Sequence, residues 1–209
     1  MSIFDNSLCK SLWGDAIFYY SFHPSTSSSS GLVRLWDYAE VDVWATISFE
    51  HVLVIVWHFL KSTERYVLLK VYAPCDVFRQ QVLWENIYVR LNSFADHNIC
   101  ICGDFNVVRC VEEIRSVGLV FRPSGITNFN QLIDGNILID LPLRGCSYTW
   151  YRRDVRYVSH IDPFLLSENW CLTLPNYFQM ASSRGLSGII VHYSYLLNRR
   201  TGGLNHFVC

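Results

Sequence analysis

The sequence has almost no net charge and few charged residues. Its 209 residues carry 17 basic and 18 acidic side chains, which gives a formal net charge of −1. No global positive field therefore draws this chain onto nucleic acid, and such contact needs a local basic patch. Hydrophobic residues make up 51% and charged residues 17%, so the composition excludes a disordered chain and indicates one domain with a substantial core.

Paired metal-binding cysteines, a signal peptide and a long apolar span are also missing. The chain has eight cysteines but no C-x-x-C pair, so we expect no structural zinc site. Residues 1–10 contain Asp5 and no apolar core, which predicts an intracellular protein, nuclear or cytoplasmic, with reduced thiols. Acidic and histidine side chains interrupt residues 41–60, so this stretch predicts two strands and a turn and not a membrane span.

Short apolar runs rich in Val, Ile, Trp and Tyr predict strands. They cover residues 32–36, 41–49, 52–59, 66–72, 98–102, 147–151, 158–166 and 189–197. A short helix is predicted at 129–133. Runs of consecutive strands mixed with helices indicate an α/β (α+β) fold, with layers and much antiparallel pairing, in a single domain.

A longer helix is predicted after the strand at residues 66–72. Leu83, Ile87, Leu91 and Phe94 recur at spacings of four, four and three residues. These spacings place the four side chains on one helix face. Asp76 stands before them and can cap the start of the helix.

A polar segment, Gly103-Asp104-Phe105-Asn106, directly follows the strand at residues 98–102. Two side chains placed two residues apart at a strand end can face one cleft. Asp104 can accept a proton from water or bind Mg²⁺, and Asn106 can form a hydrogen bond with a phosphate oxygen. Taken alone, G-D-x-N more often marks a turn in which both side chains bond to nearby backbone.

The segment belongs to an ordered set of motifs. The set comprises V-Y-A-P at 71–74, G-D-F-N-V-V-R at 103–109 with Glu113, D-L-P-L-x-G at 140–145, T-W at 149–150, and I-D-P-F-L-L-S at 161–167 with Trp170. It resembles the endonuclease/exonuclease/phosphatase superfamily, and its details are similar to the endonuclease domain of plant LINE-type (non-LTR) retrotransposons. The resemblance implies a layered sandwich of two mixed β-sheets flanked by helices, as one incomplete domain over 1–209 with its first strands missing.

The resemblance also implies a reaction and roles for individual residues. The family hydrolyses phosphodiester or phosphomonoester bonds with a divalent cation, Mg²⁺ or Mn²⁺, and DNA would be the ancestral substrate here. Asp104 matches the aspartate that activates water and meets the metal, and Asn106 matches the asparagine that positions water and phosphate. Tyr72 matches the tyrosine that contacts the phosphate. Asp162 matches the aspartate that orients a catalytic histidine, for which His192 is the candidate.

The resemblance fails at both ends of the catalytic set. The metal-binding Glu of a Q-E-T-K segment has no counterpart, since residues 1–6 contain no Glu. The S-D-H segment is replaced after Ser187, which leaves Val191 at the Asp position and His192 displaced by a short insertion. With Asp104 as almost the sole carboxylate facing the metal, we expect little or no nuclease activity.

Other positions allow a plain structural interpretation. His160 and Pro163 stand where the family commonly has Arg, and the missing N–H of Pro163 predicts a distorted or edge strand. We expect Trp150 to be a core residue and not a platform for base stacking. The arginines at 152, 153 and 156 are expected to form a solvated loop, with contact to a DNA backbone as the alternative.

Two hypotheses on function follow. The first is a phosphodiesterase (endonuclease) acting on DNA, now with little or no activity, and the alternative is a noncatalytic remnant or binding module derived from a retrotransposon. No membrane association and no obligate protein partner are expected. A new metal site formed by Cys and His residues has little support, because no spacing typical of such a site occurs.

Overall fold

The computed structural model describes residues 19–23, 32–116, 125–145, 148–151, 157–175, 177–186 and 189–198. In chain order, the strands are β1 Tyr19–His23, β2 Leu32–Trp36, β3 Val41–Phe49, β4 Val52–Phe59, β5 Tyr66–Tyr72, β6 Asn98–Asp104, β7 Ile114–Ser116, β8 Leu138–Asp140, β9 Leu143–Arg144, β10 Trp150–Tyr151, β11 Tyr157–Ser159, β12 Phe164–Ser167, β13 Tyr177–Leu186 and β14 Ile189–Asn198. The helices are α1 Val77–Leu91, α2 Ile126–Gly135 and α3 Glu168–Thr173, with 3₁₀ turns at Asn92–Phe94 and Val111–Glu113.

A six-stranded mixed sheet forms the centre of the fold, in the order β3-β4-β5-β6-β12-β8. β5 and β6 are parallel, and the other neighbours in this sheet are antiparallel. A parallel pair needs a crossover connection, and α1 supplies it between β5 and β6. The carboxyl ends of β5 and β6 therefore lie at the same edge of the sheet.

Each face of the central sheet has its own apolar cluster, because successive side chains of a strand point to opposite faces. Along β5, Val67, Leu69 and Val71 pack with the buried residues of α1 and α2, whereas Tyr66 and Leu68 pack on the other face. On that second face the Tyr66 ring lies 5.5 Å from the Trp57 ring and 5.2 Å from the Trp170 ring. These contacts bury the rings of Trp57, Tyr66 and Trp170 in the core.

Three smaller sheets accompany the central one. β1 pairs with β2, β10-β11-β7 form an antiparallel sheet, and β14-β13-β9 form a sheet in which β13 and β9 are parallel. The α+β class and the layered sandwich with mixed sheets are confirmed. The expectation that the first strands are missing concerns the N-terminal part, where residues 1–18 lie outside the described residues.

The strand predictions from residue 32 to residue 102 are confirmed, and so is the predicted cap of the long helix. Asp76 accepts a hydrogen bond from the Arg79 N–H at 2.9 Å, and the first three periodic residues of that helix are buried in α1. The stretch 41–60 is the antiparallel pair β3 and β4. In the part of the chain that the structure describes, no helix is long and apolar enough to cross a membrane.

Three expectations were wrong. The predicted single strand 158–166 is two strands, β11 and β12, interrupted at residues 160–163. Of the two alternatives for Pro163, the distorted strand therefore holds and the edge strand does not, because β12 lies between β6 and β8. Trp150 is 40% exposed and is not a core residue. Cys102 is disulfide-bonded, although Cys75, Cys100, Cys110 and Cys171 are free thiols.

Candidate active site

Tyr72 and Asp104 lie side by side at the carboxyl ends of β5 and β6. The parallel register pairs Tyr72 with Asp104. The Ala73 N–H then donates to the Asp104 backbone carbonyl at 2.7 Å, so the contact between the two strands continues past the end of β5. Two chemically reactive side chains are therefore fixed by backbone hydrogen bonds to neighbouring positions.

Asp162 approaches Asp104 from the other side of β6. The antiparallel register of β12 with β6 pairs Phe164 with Cys102. Continued two residues back from Phe164 and two residues forward from Cys102, this register sets Asp162 opposite Asp104. The Phe105 N–H donates to the Ile161 carbonyl at 2.9 Å, so the pairing persists beyond the regular ladder. The two carboxylates therefore share one end of the sheet.

Burial makes both carboxyls hard to ionise, and for Asp104 repulsion from Asp162 adds to this effect. Burial raises the pKa of Asp104 to about 7, with repulsion from Asp162 as the second cause and a hydrogen bond from the Asn106 N–H opposing them. Burial raises the pKa of Asp162 to about 6, against a hydrogen bond from the Thr149 side chain. The pKa of Tyr72 is also raised, by burial and then by Asp104 and Cys75. Asp104 therefore changes its protonation near neutral pH, where a general base operates well.

Asn106 connects the two loops that follow β5 and β6. Its backbone N–H donates to Asp104 Oδ1 at 2.9 Å, and its side-chain Nδ2 donates to the Ala73 carbonyl at 2.7 Å. Its φ of 50° lies in the left-handed region, which Asn tolerates better than most residues do. The structural interpretation of G-D-x-N as a local turn therefore also holds, and one N–H of the carboxamide stays available to an oxygen ligand.

Two buried residues that hold Asp162 have no role in the sequence interpretation. The Thr149 Oγ1 accepts a hydrogen bond from the Ile161 N–H at 3.2 Å while its hydroxyl bonds to the Asp162 carboxyl. Gln179 donates to the Asp162 carbonyl at 2.7 Å and accepts from the Phe164 N–H at 3.3 Å. Thr149 belongs to the T-W motif and could have been found, whereas no sequence pattern marks Gln179.

The remaining predicted residues are only partly placed. His192 lies in β14 opposite Ser183, but its side chain is not among those described. The arginines at 152, 153 and 156 lie outside the described residues. His160 is buried with Nδ1 4.0 Å from the Glu113 Oε1 atom, and burial lowers its pKa. The structure thus brings together Tyr72, Asp104, Asn106 and Asp162, and their catalytic roles stay predictions.

The donor set fits a divalent cation only in part. Among the described residues, no group of three or more His, Cys, Asp and Glu side chains could hold a metal ion. Asp104 and Asp162 nevertheless form a half-buried pair of carboxyls, and no basic side chain contributes to the pKa of either. A hard cation such as Mg²⁺ can bind through one or two carboxylates while it keeps several waters. The pair therefore suits a weakly held cation.

Comparison with known proteins connects this geometry to one fold. No family model and no curated protein matches the sequence. An endonuclease/exonuclease/phosphatase family protein from Bacteroides thetaiotaomicron matches in structure with a TM-score of 0.53 and 8% identity, over 80% of this chain and 65% of that one. The chain thus spans slightly less than two thirds of that protein.

Two structures of TDP2 from D. rerio are also similar. A form humanized by 14 mutations matches with a TM-score of 0.60 and 11% identity, over 89% of this chain and 75% of that one. The complex with a single-strand DNA product matches with a TM-score of 0.56 and 13% identity, over 89% of this chain and 76% of that one. At such low identity the likeness concerns the fold, and the fold of this chain is that of endonuclease/exonuclease/phosphatase family proteins.

Proposed function

We propose that the chain is a phosphodiesterase-type protein with DNA as its ancestral substrate and with little or no remaining hydrolytic activity. The observation that carries the proposal is the half-buried pair Asp104 and Asp162, which stands beside Tyr72 and Asn106 at one end of the central sheet. The resemblance of the motifs to the endonuclease domain of plant LINE-type retrotransposons supports this origin.

The side chains can perform the first step of phosphodiester hydrolysis. Asp104, with a pKa of about 7, can take a proton from an attacking water at neutral pH. Tyr72 and the carboxamide of Asn106 can donate hydrogen bonds to phosphate oxygens. Asp162 would orient a histidine, for which His192 is the candidate. When bound at Asp104 and Asp162, a divalent cation would offset the negative charge of the phosphate.

Weak activity follows from the small number of hard ligands. Two carboxyls with raised pKa values hold a divalent cation less firmly than a full carboxylate set does, because protons compete for the same oxygens. Val191 stands where the S-D-H segment would have its Asp. Loss of one positioned acid–base group lowers a rate by roughly 10²–10⁴-fold.

DNA is the substrate class that the comparisons favour. D. rerio TDP2 was solved in complex with a single-strand DNA product. In this chain Trp150 is 40% exposed and adjoins Thr149, which contacts Asp162. An exposed aromatic ring one residue from Thr149 is a surface on which a base can stack.

Cation binding and plasmid nicking test the proposal together. We expect Mn²⁺ to bind weakly to the wild type, as measured by calorimetry, and less to an Asp104→Asn variant. Nicking of supercoiled plasmid with Mg²⁺ or Mn²⁺ should stay close to the level of that variant. Asp96→Asn, a change at an exposed carboxyl, is the matched control.

The outcomes separate the two parts of the proposal. Equal Mn²⁺ binding by wild type and Asp104→Asn would show that the carboxyl pair is not a cation site. Fast nicking that requires metal and disappears in Asp104→Asn would overturn the expectation of low activity. The same result would support the part of the proposal that makes the chain a phosphodiesterase.

A noncatalytic DNA-binding module is the second candidate, and the exposure of Trp150 is the observation that favours it. In that case a labelled single-stranded oligonucleotide should bind without metal, and Trp150→Ala should weaken binding by roughly tenfold, as expected for one lost stacking contact. Fluorescence anisotropy measures this affinity. Unchanged affinity in Trp150→Ala would remove the support for this candidate.

A further inference from the structure

Gln80 is a buried polar residue of α1 that reaches both loops of the candidate site. Its side chain is only 2% exposed. The Nε2 atom lies 2.9 Å from the Pro74 carbonyl oxygen, 3.2 Å from that of Asn106 and 3.4 Å from that of Phe105. Pro74 belongs to the loop after Tyr72, and the other two belong to the loop after Asp104. A single carboxamide therefore joins the two loops from behind.

The orientation of this carboxamide is set by its surroundings. A Cβ atom added to Gly125 would lie 3.1 Å from the Gln80 Oε1 atom, so the oxygen end faces the start of α2. The nitrogen end then faces the three carbonyls, and its two N–H groups are shared among them. Buried polar groups with their partners in place hold a loop more rigidly than apolar packing does.

The contact with Phe105 acts on the peptide unit that leads to the aspartate. The Phe105 carbonyl and the Asn106 N–H belong to the same planar trans peptide, and they point in opposite directions. Gln80 binds the carbonyl end of that unit, and the Asp104 carboxylate accepts the hydrogen bond from its N–H end at 2.9 Å. Rotation of this peptide would therefore break both contacts together.

We propose that Gln80 is a positioning residue, which holds the Phe105–Asn106 peptide so that the Asn106 N–H points at the carboxylate of Asp104. Its consequence for hydrolysis rests on the proposed function, whereas the positioning itself does not. Gln80 touches no reacting atom. It acts through the backbone hydrogen bond from the Asn106 N–H to the Asp104 carboxylate.

Substitution of Gln80 by a side chain of similar length without hydrogen-bonding groups tests the proposal. In Gln80→Met we expect the amide hydrogen of Asn106 to exchange with solvent roughly tenfold faster, because a hydrogen bond that holds its peptide is lost. The amide of Ile101, in the middle of β6, should keep its protection. The exposed neighbour offers the control: Gln81, whose side chain bonds with Glu85 and Asn128 and with neither loop, should leave the exchange rate of Asn106 unchanged when replaced by Met. An unchanged exchange rate of Asn106 in a folded Gln80→Met protein would overturn the proposal.

A measurement on the wild type covers the case in which Gln80→Met does not fold. The side-chain amide protons of Gln80 should exchange slowly with solvent, since the buried carboxamide donates to the carbonyls of both loops. Exchange as fast as that of the exposed Gln81 side chain would refute the positioning. Neither readout uses DNA or metal. The outcome of the nicking and Mn²⁺ experiments therefore does not decide this inference, and its outcome does not decide theirs.

Discussion

At the scale of single residues, the chemistry of this protein depends on two half-buried carboxyls, Asp104 and Asp162, at one end of the central sheet. Asp104 is influenced by burial first and by Asp162 second, and only the Asn106 N–H favours its ionised form. Thr149 gives Asp162 the equivalent support. Each aspartate therefore has one hydrogen-bond donor that favours its ionised form, whereas burial disfavours that form in both.

Removal of the Asp162 charge should change the pKa of Asp104. In Asp162→Asn we expect the pKa of Asp104 to fall from about 7, because the repulsion is lost. It should stay above the ordinary value near 3.9, because burial remains. Carboxyl ¹³C NMR titration gives the value, with Asp96→Asn as the reference variant. An Asp104 pKa that does not move would mean that the two side chains do not interact.

At the scale of elements, the close approach of β5 and β6 depends on Gly103. Its φ is +128°, and a Cβ atom there would lie 2.0 Å from the Val71 carbonyl oxygen, a distance at which the backbone must move. The same two strands carry Tyr72 and Asp104. A glycine at this position is therefore a structural requirement of the G-D-F-N motif, separate from its chemistry.

Gly103→Ala should accordingly destabilise the protein strongly. We expect the free energy of unfolding to fall by about 3 kcal/mol or more, from steric overlap and backbone strain together. Urea denaturation measures the change. The control is Gly135→Ala in α2, where the added Cβ would meet only the end of the Tyr88 ring at 3.3 Å. Equal stability of the two variants would contradict the argument.

Elements were predictable where one apolar run corresponds to one strand of one sheet. β3, β4 and β5 satisfy this condition, because polar or turn residues bound each run. Residues 158–166 do not, since β11 pairs with β7 and β10 while β12 pairs with β6 and β8. Pro163 lacks the N–H that a continuous ladder would need, and the chain changes sheets there. The six residues of α3 are too few to show a helical period.

At the scale of the whole molecule, the candidate site is assembled from segments far apart in sequence. Motif order and strand ends predicted that Tyr72, Asp104, Asn106 and Asp162 would meet. The contacts of Gln80 and Gln179 could not be predicted, because they join residues 6 to 26 positions apart in sequence, and a glutamine has no distinctive spacing. Long-range support of a site leaves little trace in one sequence.

Folding also takes these carboxyls out of water, so stability should depend on pH. The folded pKa of Asp104 is about 7, and its unfolded value is near 3.9. Between these two values the folded state keeps a proton that the unfolded state has lost. Stability contributed by this group is therefore present below about pH 4 and is lost as the pH rises through about 7. His160 has the opposite effect on stability. Because burial lowers its pKa, the folded state becomes less stable as the pH falls and the unfolded state takes up a proton on this histidine.

Comparison of the wild type with Asp104→Asn measures the contribution of this aspartate together with its repulsion by Asp162. Asn resembles the protonated carboxyl in shape, so the two proteins should have similar stability at pH 4.5. At pH 8 the variant should be more stable by up to a few kcal/mol, since each pKa unit is worth about 1.4 kcal/mol. Urea unfolding at both pH values gives the difference, and 5 mM Mn²⁺, roughly the range of a weak two-carboxylate site, should reduce it at pH 8 by stabilising only the wild type. A stability difference that is the same at both pH values would mean that Asp104 is ionised in the folded protein from pH 4.5 to pH 8. Its pKa would then not be raised by folding.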